Sequence, residues 1–591
     1  MTNEAVIQDI ASKRWLHFRE PRQVIRADCV EEVVPGLRLV EAAVQEQGLY
    51  AAGFIGYEAS PAFDPALLVR PSASFPLLWF GIYSQPDMFQ TLPSPSDGVR
   101  ARHNWAPDIS QTTYKENIAR IREYIADGET YQANYTFHLR APFQGDAWAF
   151  FLELAQAQRA DYAAYIDTGR FAVCSASPEL FFRLNGSLLT SCPMKGTAAR
   201  GRTLSEDDAH GRWLRHSEKN RAENVMVVDM IRNDMGRIAT AGSVHVSNLF
   251  KVERYPTVWQ MTSTVTATTD ASVCDIMAAL FPCASITGAP KPHTMRIIAD
   301  LETEPRRIYT GCIGFIAPDG KAQFNVAIRT VLVDRTTGRA EYGVGGGIVW
   351  DSVSGDEYME CRVKARVLGG RLPDFSLLET MLWTTGGGYF LLDYHLRRLS
   401  DSIAYFGLPA DICRIQKRIS RLTASLPDSP HKVRLLVSQG GAVSCRAVTL
   451  ADAADTRPVK LRLSPTPVNS TEPLLYHKTT HRRIYDAALA ACPGCDDILF
   501  WNERGEITET SVANVVINLD GELITPPVRC GLLPGTFRAW LLDQGKIREK
   551  IIKVEALKQS ETVYLINSVR KWRRAYLDFD RLRQVVGQLS G

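Results

Sequence analysis

Two residues in the first half of the chain have side chains suited to acid/base and nucleophilic chemistry. Glu179 lies in the segment 177–182, and Lys195 lies in 193–197. The stretch between them, 183–189, is typical of two short strands around an Asn-Gly turn, so a hairpin could bring the two side chains together. An acid beside a lysine is a candidate acid/base and nucleophile pair. Considered alone, such a pair is more often a salt bridge.

Three carboxylates form a second candidate set. Glu223 lies in a predicted helix over 221–234, and Glu357 and Glu360 are spaced i, i+3, which places them on one helix face, with Lys364 one turn later. Carboxylates from two helices suit Mg²⁺, which takes a few oxygen ligands, several waters and an anionic substrate. For either helix alone, a solvated acidic face is the simpler interpretation.

A glycine-rich stretch and an arginine could bind an anion. The segment 343–349, which includes Gly345 and Gly347, can present bare backbone N–H groups to a ligand. Arg329 follows an apolar strand and could form a forked pair with a carboxylate, and the hydroxyl of Tyr309 is a weaker candidate. These residues indicate a small polycarboxylate substrate held by Mg²⁺, arginine and backbone amides.

Composition excludes several classes of protein. The apolar fraction is 45% and the charged fraction 23%, which are ordinary globular values. The net charge of +3 argues against a general electrostatic nucleic-acid binder, so we expect no nucleic-acid partner. The sequence shows no secretory signal and no membrane span, and its scattered cysteines suit reduced thiols, so we expect a cytoplasmic protein.

The segment 196–203 resembles a phosphate loop, but Arg202 stands in place of the required lysine. The surrounding residues 200–208 predict a polar loop and not the start of a helix, which excludes nucleotide binding.

The elements that must position these residues fall into two parts. A helical pattern ends near 366, and the glycines and proline of 369–374 predict a linker between domains at 1–368 and 375–591. After the linker, an apolar run at 377–383, a triple-glycine turn and 389–392 predict a hairpin, followed by a helix over 396–406. Strands and helices are mixed throughout, which predicts an α+β fold.

The first part resembles the chorismate-utilising enzymes, which include anthranilate, isochorismate, salicylate and aminodeoxychorismate synthases. The residues above carry the resemblance together with 285–291 and 348–352, and it extends from about 110 to 368. It implies antiparallel sheets flanked by helices, with Glu223 and Glu360 as Mg²⁺ ligands and Glu357 acting through water. One departure is Asn220, where the family usually has a carboxylate. The substrate-binding residues that the resemblance implies are Thr287, Tyr309, Arg329, Gly345, Gly347 and Lys364.

Two positions indicate which branch of that family the chain resembles. Gln132 stands where isochorismate and salicylate synthases carry a lysine base, and Lys195 in Pro-x-Lys-Gly-Thr is similar to aminodeoxychorismate synthase. The resemblance implies that Lys195 attacks C2 of chorismate, that Glu179 is the general acid/base, and that ammonia enters at C4. No glutaminase pattern surrounds any cysteine, so we expect a separate glutaminase subunit or direct use of free ammonia.

Four residues after the linker resemble the fold-type IV pyridoxal-phosphate enzymes. The four are Arg398, Lys478, Glu509 and Thr536, in this order. Thr536 belongs to a Pro-Gly-Thr turn before a predicted helix, and such a turn can bind phosphate. Considered singly, the lysine, the arginine and the glutamate are more simply interpreted as ordinary solvated or turn charges. The resemblance covers about 375–591 and implies two α/β subdomains and a homodimer through this half. It also implies that Lys478 forms the Schiff base, that Arg398 and Thr536 hold the phosphate, and that Glu509 keeps the pyridine nitrogen protonated.

Together the two resemblances predict a bifunctional enzyme of 4-aminobenzoate synthesis, a step toward folate. Chorismate would be aminated to 4-amino-4-deoxychorismate, and a lyase would then eliminate pyruvate to give 4-aminobenzoate. The second half alone does not separate a lyase from an aminotransferase. One alternative is an anthranilate-type or 2-amino-isochorismate synthase fused to an aminotransferase. Another, of a different class, is a non-catalytic regulatory protein that binds chorismate, which is motivated by Asn220.

Overall fold

The computed structural model describes residues 2–72, 74–93, 103–370, 372–450, 457–559 and 562–578. The chain divides into two compact units, of which the first comprises Met1–Arg200 and His210–Leu372 and the second Gly201–Ala209 and Pro373–Gly591. Arg371 of the predicted linker and the final residues of the predicted second domain, 579–591, lie outside the described residues.

The first unit is built on antiparallel strands. Their bounds are β1 Glu4–Asp9, β2 Arg14–Phe18, β3 Gln23–Ala27, β4 Tyr50–Ile55, β5 Leu78–Tyr83, β6 Asp87–Phe89, β7 Ala106–Pro107, β8 Gln132–Pro142, β9 Tyr162–Asp167, β10 Phe171–Ser177, β11 Leu180–Asn185, β12 Leu188–Cys192, β13 Met194–Ala199, β14 His245–Arg254, β15 Val258–Thr268, β16 Gly288–Ala289, β17 Cys312–Ile316, β18 Ala322–Val326, β19 Thr330–Asp334 and β20 Arg339–Ile348.

These strands form two sheets that pack face to face. One has the order β16-β8-β20-β19-β10-β9-β1-β2-β6 with β7 beside β8, and the other has β13-β15-β12-β11-β18-β17-β4-β5-β3 with β14 beside β15. One core cluster takes Phe18 and Val173 from the first sheet and Phe54 and Phe315 from the second, so apolar side chains from both sheets interdigitate. The predicted hairpin is confirmed, because Asn185 pairs with Leu188 across the β11–β12 turn.

Helices cover the outer faces of these sheets. Those that begin before residue 370 are α1 Val30–Gln47, α2 Gln111–Ala126, α3 Ala147–Gln158, α4 Leu204–His216, α5 Glu218–Gly236, α6 Val273–Leu280, α7 Lys291–Leu301 and α8 Ser354–Lys364. One core cluster joins α1, α5 and α6 to the second sheet, and another joins α2 and α3 to the first. Among the described residues, no helix combines the length and the apolar character that crossing a bilayer requires.

The polar loop predicted over 200–208 is wrong from Leu204 onward, where α4 begins. Thr203 and Glu206 have the spacing of a capping box, and the Thr203 hydroxyl accepts a hydrogen bond from the Glu206 N–H at 3.3 Å. Glu206 in turn accepts from the Arg202 N–H at 2.8 Å. This pattern is visible in the sequence and predicts the start of a helix.

The second unit contains two smaller sheets. Its strands are β21 Ser376–Thr384, β22 Gly388–Tyr389, β23 His431–Ser438, β24 Val443–Thr449, β25 Val459–Leu463, β26 Asp497–Trp501, β27 Ile507–Thr510, β28 Asn514–Leu519, β29 Glu522–Thr525, β30 Arg548–Glu549, β31 Thr562–Asn567 and β32 Lys571–Leu577. Its helices are α9 Leu392–Phe406, α10 Ile412–Thr423, α11 Arg483–Ala491 and α12 Thr536–Asp543. The orders are β22-β21-β23-β24 and β27-β26-β25-β32-β31-β28-β29-β30.

The hairpin predicted after the linker is confirmed only in part. Strand β21 is long, but β22 has two residues, because Leu391 takes a left-handed conformation with φ 58° and the chain enters α9. The predicted helix is present and begins earlier than 396.

The segment 201–209 belongs to the second unit through backbone contacts. The Tyr405 hydroxyl donates to the Gly201 carbonyl at 2.8 Å, and His477 Nε2 lies 3.1 Å from the Arg202 carbonyl oxygen. The Nδ1 of His477 lies 2.9 Å from the Ser402 hydroxyl. Residues distant in the sequence are thereby fixed beside Lys478.

A buried ion pair ties three segments of the first unit together. Arg306 donates to both carboxylate oxygens of Glu302, at 2.8 and 2.7 Å, and its side chain is buried. The same guanidinium donates to the carbonyls of Asn134 at 2.7 Å and Ile286 at 2.9 Å. Glu302 also accepts from the Thr136 N–H at 2.9 Å. Strand β8 and the turn before β16 are therefore held to the end of α7.

Replacing Arg306 is expected to destabilise the first unit. In Arg306→Ala, Glu302 and two carbonyls lose a buried partner, and removing one member of a buried pair costs about 3–5 kcal/mol. Exposed Arg296 on α7 is the control, and Arg296→Ala should change stability by less than about 0.5 kcal/mol. Urea unfolding of the two variants measures the difference, and equal midpoints would contradict the prediction.

Two candidate active sites

The first unit contains a cavity of about 390 Å³ lined by both Glu179 and Lys195. Lys195 lies on β13, and Glu179 lies in the turn between β10 and β11. The Met194 N–H donates to Glu179 Oε1 at 3.3 Å, which fixes the carboxyl beside the strand that carries the lysine. The structure thus brings together the two residues that the sequence predicts as a pair.

Burial shifts the protonation of both groups in opposite directions. It raises the pKa of Glu179 to about 7, against the opposing effects of the Ser285 hydroxyl and the Met194 N–H. Burial lowers the pKa of Lys195, while the nearby Glu223 carboxylate opposes this. A protonated acid and an uncharged amine are therefore each favoured relative to the same groups in water.

The three predicted carboxylates face the same cavity. Glu223 comes from α5, and Glu357 and Glu360 come from α8. Glu360 pairs with Lys364 at 2.8 Å, and Glu357 accepts from Ser352 at 2.7 Å and from Lys219 at 3.3 Å. Burial raises the pKa of Glu223 to about 7, and within the described part of the chain its carboxylate accepts no hydrogen bond.

These carboxylates suit Mg²⁺ better than a metal that needs a full protein cage. Among the described residues there is no group of three or more His, Cys, Asp or Glu side chains arranged to hold a metal ion. Mg²⁺ needs only one or two carboxylates, and takes its remaining ligands from water and anionic substrate. Glu223, half-buried without a hydrogen-bond donor, fits one such ligand, and Glu360 and Glu357 face the same space.

Arg329 brings a buried guanidinium to the cavity that lies over the Tyr255 ring and makes no ion pair with the described residues. Its side chain is buried, and its Nη1 has no hydrogen-bond partner among the residues described, while Nη2 reaches only Gln260 Oε1 at 3.5 Å. Its backbone takes φ 50°, which is strained for a side chain larger than glycine. A buried cation without a partner is costly, so a ligand carboxylate is the natural counter-charge.

The remaining predicted substrate residues differ in their placement. Gly345, Gly347, Tyr309 and Lys364 line the cavity, and Lys364 Nζ donates to the Gly345 carbonyl at 2.8 Å. Thr287 does not line it, and its hydroxyl is directed to the carbonyls of Cys283 and Ala284 at 3.4 and 3.3 Å.

A side chain at position 347 would crowd two polar side chains of the cavity. A Cβ there would lie 2.1 Å from Gln132 Nε2 and 2.9 Å from Lys195 Nζ. The bare glycine backbone therefore leaves the space that the lysine amine occupies.

Sequence reasoning missed Lys219 and Gln260. Lys219 precedes Glu223 by one helical turn, and that i, i+4 spacing is a signal that could have identified it. Gln260 donates to the Gly196 carbonyl at 3.0 Å from β15, and no local pattern marks it. Asn220 also lines the cavity and donates to the Ser217 hydroxyl at 2.8 Å.

The second unit contains a cavity of about 590 Å³ lined by Arg398, Lys478, Glu509 and Thr536. Burial, assisted by the Arg398 charge, lowers the pKa of Lys478 to about 8. Burial raises the pKa of Glu509 to about 7, although its carboxylate accepts from Tyr485 at 3.0 Å and Asn514 at 3.2 Å. The four residues predicted from separate motifs thus meet in one place.

A buried network that the sequence analysis did not predict holds Arg398. Arg398 donates to both oxygens of Glu379, at 2.9 and 2.6 Å, and His395 Nδ1 lies 2.6 Å from Glu379 Oε2. His395 Nε2 lies 3.3 Å from the Thr536 hydroxyl. Although burial opposes ionisation, Arg398 and His395 lower the pKa of Glu379 to about 2. The i, i+3 spacing of His395 and Arg398 was the available signal.

The second cavity fits a phosphate-bearing ring. Gly535 precedes α12, and a Cβ there would lie 1.9 Å from Asn514 Oδ1, so the backbone is packed against the cavity wall. The first turn of α12 has no acidic residue, which leaves its N–H groups and dipole to favour an anion. With Arg398 beside this turn, the site fits the phosphate of pyridoxal phosphate, and Lys478 and Glu509 fit its reactive groups.

Comparison with known proteins identifies the family of the chain. The family model for chorismate binding enzymes matches residues 3–369, so the chain belongs to this family, as its motifs indicate. The model for class IV amino-transferases, a pyridoxal-phosphate-dependent family, matches residues 376–575.

The relatives cover only part of the chain. It is 38% identical over 269 residues to "Aminodeoxychorismate synthase component 1" of Escherichia coli (strain K12), which is 45% of this chain and 59% of that protein. It is 43% identical over 258 residues to "Aminodeoxychorismate synthase" of Streptomyces griseus, which is 43% of this chain and 35% of that protein. The chain therefore spans less than two thirds of the length of either relative.

A solved structure shows the same fold. The crystal structure of anthranilate synthase component I from Streptococcus pneumoniae TIGR4 has a TM-score of 0.52 and 24% sequence identity. The structural match covers 62% of this chain and 92% of the anthranilate synthase chain. The predicted α+β fold with antiparallel sheets flanked by helices is confirmed.

Substitution of Gly347 should disturb the first cavity without unfolding it. The Cβ in Gly347→Ala displaces Lys195 and Gln132, and overpacking of about 1–3 kcal/mol corresponds to about fivefold to 150-fold weaker chorismate binding. Gly346→Ala is the control, because its Cβ would lie no closer than 3.3 Å to the flexible end of Glu357. Calorimetric titration with chorismate measures both, and equal affinities would refute the steric argument.

Substitution of Glu379 should weaken cofactor binding in the second cavity. Glu379→Gln removes the carboxylate that orients Arg398, so we expect the dissociation constant for pyridoxal phosphate to rise about tenfold or more. Exposed Glu472 provides the control Glu472→Gln, which should bind normally. Absorbance titration with the cofactor gives both constants, and an unchanged value in Glu379→Gln would show that Arg398 needs no such support.

Proposed function

We propose that the chain makes 4-aminobenzoate in two steps: amination of chorismate to 4-amino-4-deoxychorismate, then elimination of pyruvate. The observation that carries the first step is the pairing of Glu179 and Lys195 in one buried cavity with opposite pKa shifts. The lower pKa of Lys195 favours the free amine that a nucleophile requires, and the raised pKa of Glu179 favours the proton that a general acid requires. The similarity to aminodeoxychorismate synthases supports the substrate.

In the first reaction the Lys195 amine attacks C2 of chorismate while Glu179 protonates the departing C4 hydroxyl. Ammonia then forms a bond to C4 as the Lys195 amine leaves C2, which restores the free lysine. Arg329 and the backbone of Gly345 and Gly347 bind carboxylate oxygen and exclude water. Glu223 and Glu360 would hold Mg²⁺, with Glu357 acting through water, and the ion would neutralise a substrate carboxylate.

Ammonia requires a source outside the two cavities. The Escherichia coli relative is called component 1, which supports a second component that releases ammonia from glutamine. We therefore propose a separate glutaminase subunit as partner, with free ammonium as a substitute in vitro.

In the second reaction, pyridoxal phosphate would supply an electron sink for the ring carbon that loses its proton. Arg398 and Thr536 would hold its phosphate, and Glu509 would keep its pyridine nitrogen protonated. The amine of Lys478, whose pKa of about 8 favours the uncharged form, removes the C4 proton. The ring carbon–oxygen bond to the enolpyruvyl group then breaks, and the released enolpyruvate takes up a proton to become pyruvate. The ring becomes aromatic, which drives the step.

The linkage of the two units supports a lyase over an aminotransferase. A lyase joined to the synthase that makes its substrate completes one route from chorismate to 4-aminobenzoate. A homodimer through the second unit is part of the proposal, since enzymes of this fold type usually build their sites at a dimer interface.

Product analysis of the full chain tests both steps. With chorismate, Mg²⁺, ammonium salt and pyridoxal phosphate, the wild type should form 4-aminobenzoate, detected by chromatography. Lys195→Ala should stop amination. Lys478→Ala should accumulate 4-amino-4-deoxychorismate, and it should lack the yellow absorption band expected of a Schiff base between Lys478 and pyridoxal phosphate. Exposed Lys417 supplies the control Lys417→Ala, which should keep both activities.

Three outcomes would overturn this assignment. Anthranilate as the main product would favour an anthranilate-type synthase. Binding of chorismate without turnover would favour a regulatory protein. A wild type that stays colourless with added cofactor would refute the second step.

A further inference from the structure

A third cavity, of about 370 Å³, lies in the first unit and shares no lining residue with the cavity of Glu179 and Lys195. Its floor consists of β1, β2 and β6, and Trp148 of α3 forms one wall. Val6 on the floor packs with α3 and not with the cluster between the two sheets, so the cavity lies on the outer face of the first sheet. The volume falls within the range of about 300–1000 Å³ that small-molecule sites occupy.

One carboxylate on this floor has no full counter-charge. Glu4 is 5% exposed, and its Oε2 lies 3.0 Å from His17 Nε2. Among the residues that the structure describes, His17 is its only ion-pair partner, and Glu4 Oε1 accepts no hydrogen bond. A neutral imidazole donates one N–H and brings no positive charge. Because an unpaired buried carboxylate is costly, a cationic ligand in the cavity supplies what Glu4 lacks.

Asp167, directly across from Glu4 on β9, has a counter-charge within the fold. Arg335 donates to both of its oxygens, at 2.8 and 2.6 Å. With Asp167 neutralised in this way, Glu4 sets the sign of the charge at the cavity. Chorismate, 4-aminobenzoate and pyridoxal phosphate are anions, so a buried carboxylate disfavours all three of them.

The other lining residues favour an organic cation over a metal ion. Phe89, Leu92 and Trp148 give the cavity apolar walls. Mg²⁺ requires several oxygen ligands, and among the described residues no group of three or more His, Cys, Asp or Glu side chains is arranged to hold a metal ion. Aromatic faces, in contrast, pack against a ligand ring and also attract a cation. A ligand with one ring and one ammonium group therefore matches both the walls and the floor.

We propose that this cavity binds a small aromatic amine in its ammonium form. The ammonium group pairs with Glu4, and the ring lies against Trp148 and Phe89. The inference does not rest on the proposed function, because none of the organic substrates and products named there carries a net positive charge. It gives the first unit a second ligand site, with a charge preference opposite to that of the cavity that contains Arg329.

Calorimetric titration of the full chain tests the site with three probes. N,N-Dimethylphenethylamine has a ring and an ammonium group and, as a tertiary amine, cannot form a Schiff base with pyridoxal phosphate. 3-Phenylpropionate has the same ring and the opposite charge, and N,N-dimethylethylamine has the same ammonium group without the ring. The wild type should bind the first probe at least about tenfold more tightly than either of the others, since one hydrogen bond to a charged group has about this effect. Equal binding of the amine and the carboxylate, or no saturable binding of the first probe, would overturn the proposal.

Two variants locate the binding, and their urea midpoints report that they are folded. Glu4→Gln keeps the shape of the side chain and an acceptor for His17, and it should weaken binding of N,N-dimethylphenethylamine about tenfold to a hundredfold. Leu92→Trp, at a half-buried lining position, fills the cavity and should abolish binding without altering Glu4. Exposed Glu46 supplies the control Glu46→Gln, which should bind as the wild type does. Wild-type affinity in either folded cavity variant would place the probe elsewhere and refute the site.

Discussion

The buried pair of Arg306 and Glu302 is the constraint on which the first unit depends. One guanidinium satisfies a carboxylate and two backbone carbonyls that come from separate parts of the chain. Its contact at Ile286 adjoins Ser285, whose hydroxyl interacts with Glu179. The same low-dielectric interior that makes this ion pair costly to break also raises the pKa of Glu179. Stability and proposed chemistry therefore share one environment.

The two units place similar side chains in cavities of different folds. Each buries a glutamate whose pKa rises to about 7, and each buries a lysine whose pKa falls. In each, a glycine lets the backbone approach side chains of the cavity wall: Gly347 lies against Gln132 and Lys195, and Gly535 lies against Asn514. Each cavity also has an arginine. Among the described residues Arg329 makes no ion pair, whereas Arg398 is held by Glu379. Burial is the largest cause of the pKa shifts in both cavities, whereas the two arginines differ in how their charge is balanced.

The sequence predicts those features whose cause is local. The β11–β12 hairpin follows from an Asn-Gly turn, and the residues proposed to act lie within short motifs that fall in the two cavities. Features with long-range causes were not predicted. Arg306 reaches Asn134 across 172 positions, and Arg398 meets Glu379 only once α9 packs on β21. The start of α4 has a local cause but was still predicted wrongly. The capping box at Thr203 and Glu206 can be recognised in the sequence, but the polar composition of 200–208 favoured the prediction of a loop. Thr287 lies in one of the family motifs, but its hydroxyl donates to the carbonyls of Cys283 and Ala284 and does not line the cavity.

The membership of residues 201–209 in the second unit has a consequence for dividing this chain. A single cut in the linker would leave that segment on the wrong fragment, and His477, the neighbour of Lys478, would lose its partner at the Arg202 carbonyl. The two units are thus joined by more than the linker, because the second unit includes a segment that precedes the linker by more than 150 residues. A pair of separate proteins descended from such a chain would need a substitute for these nine residues, either a grafted peptide or a rebuilt surface.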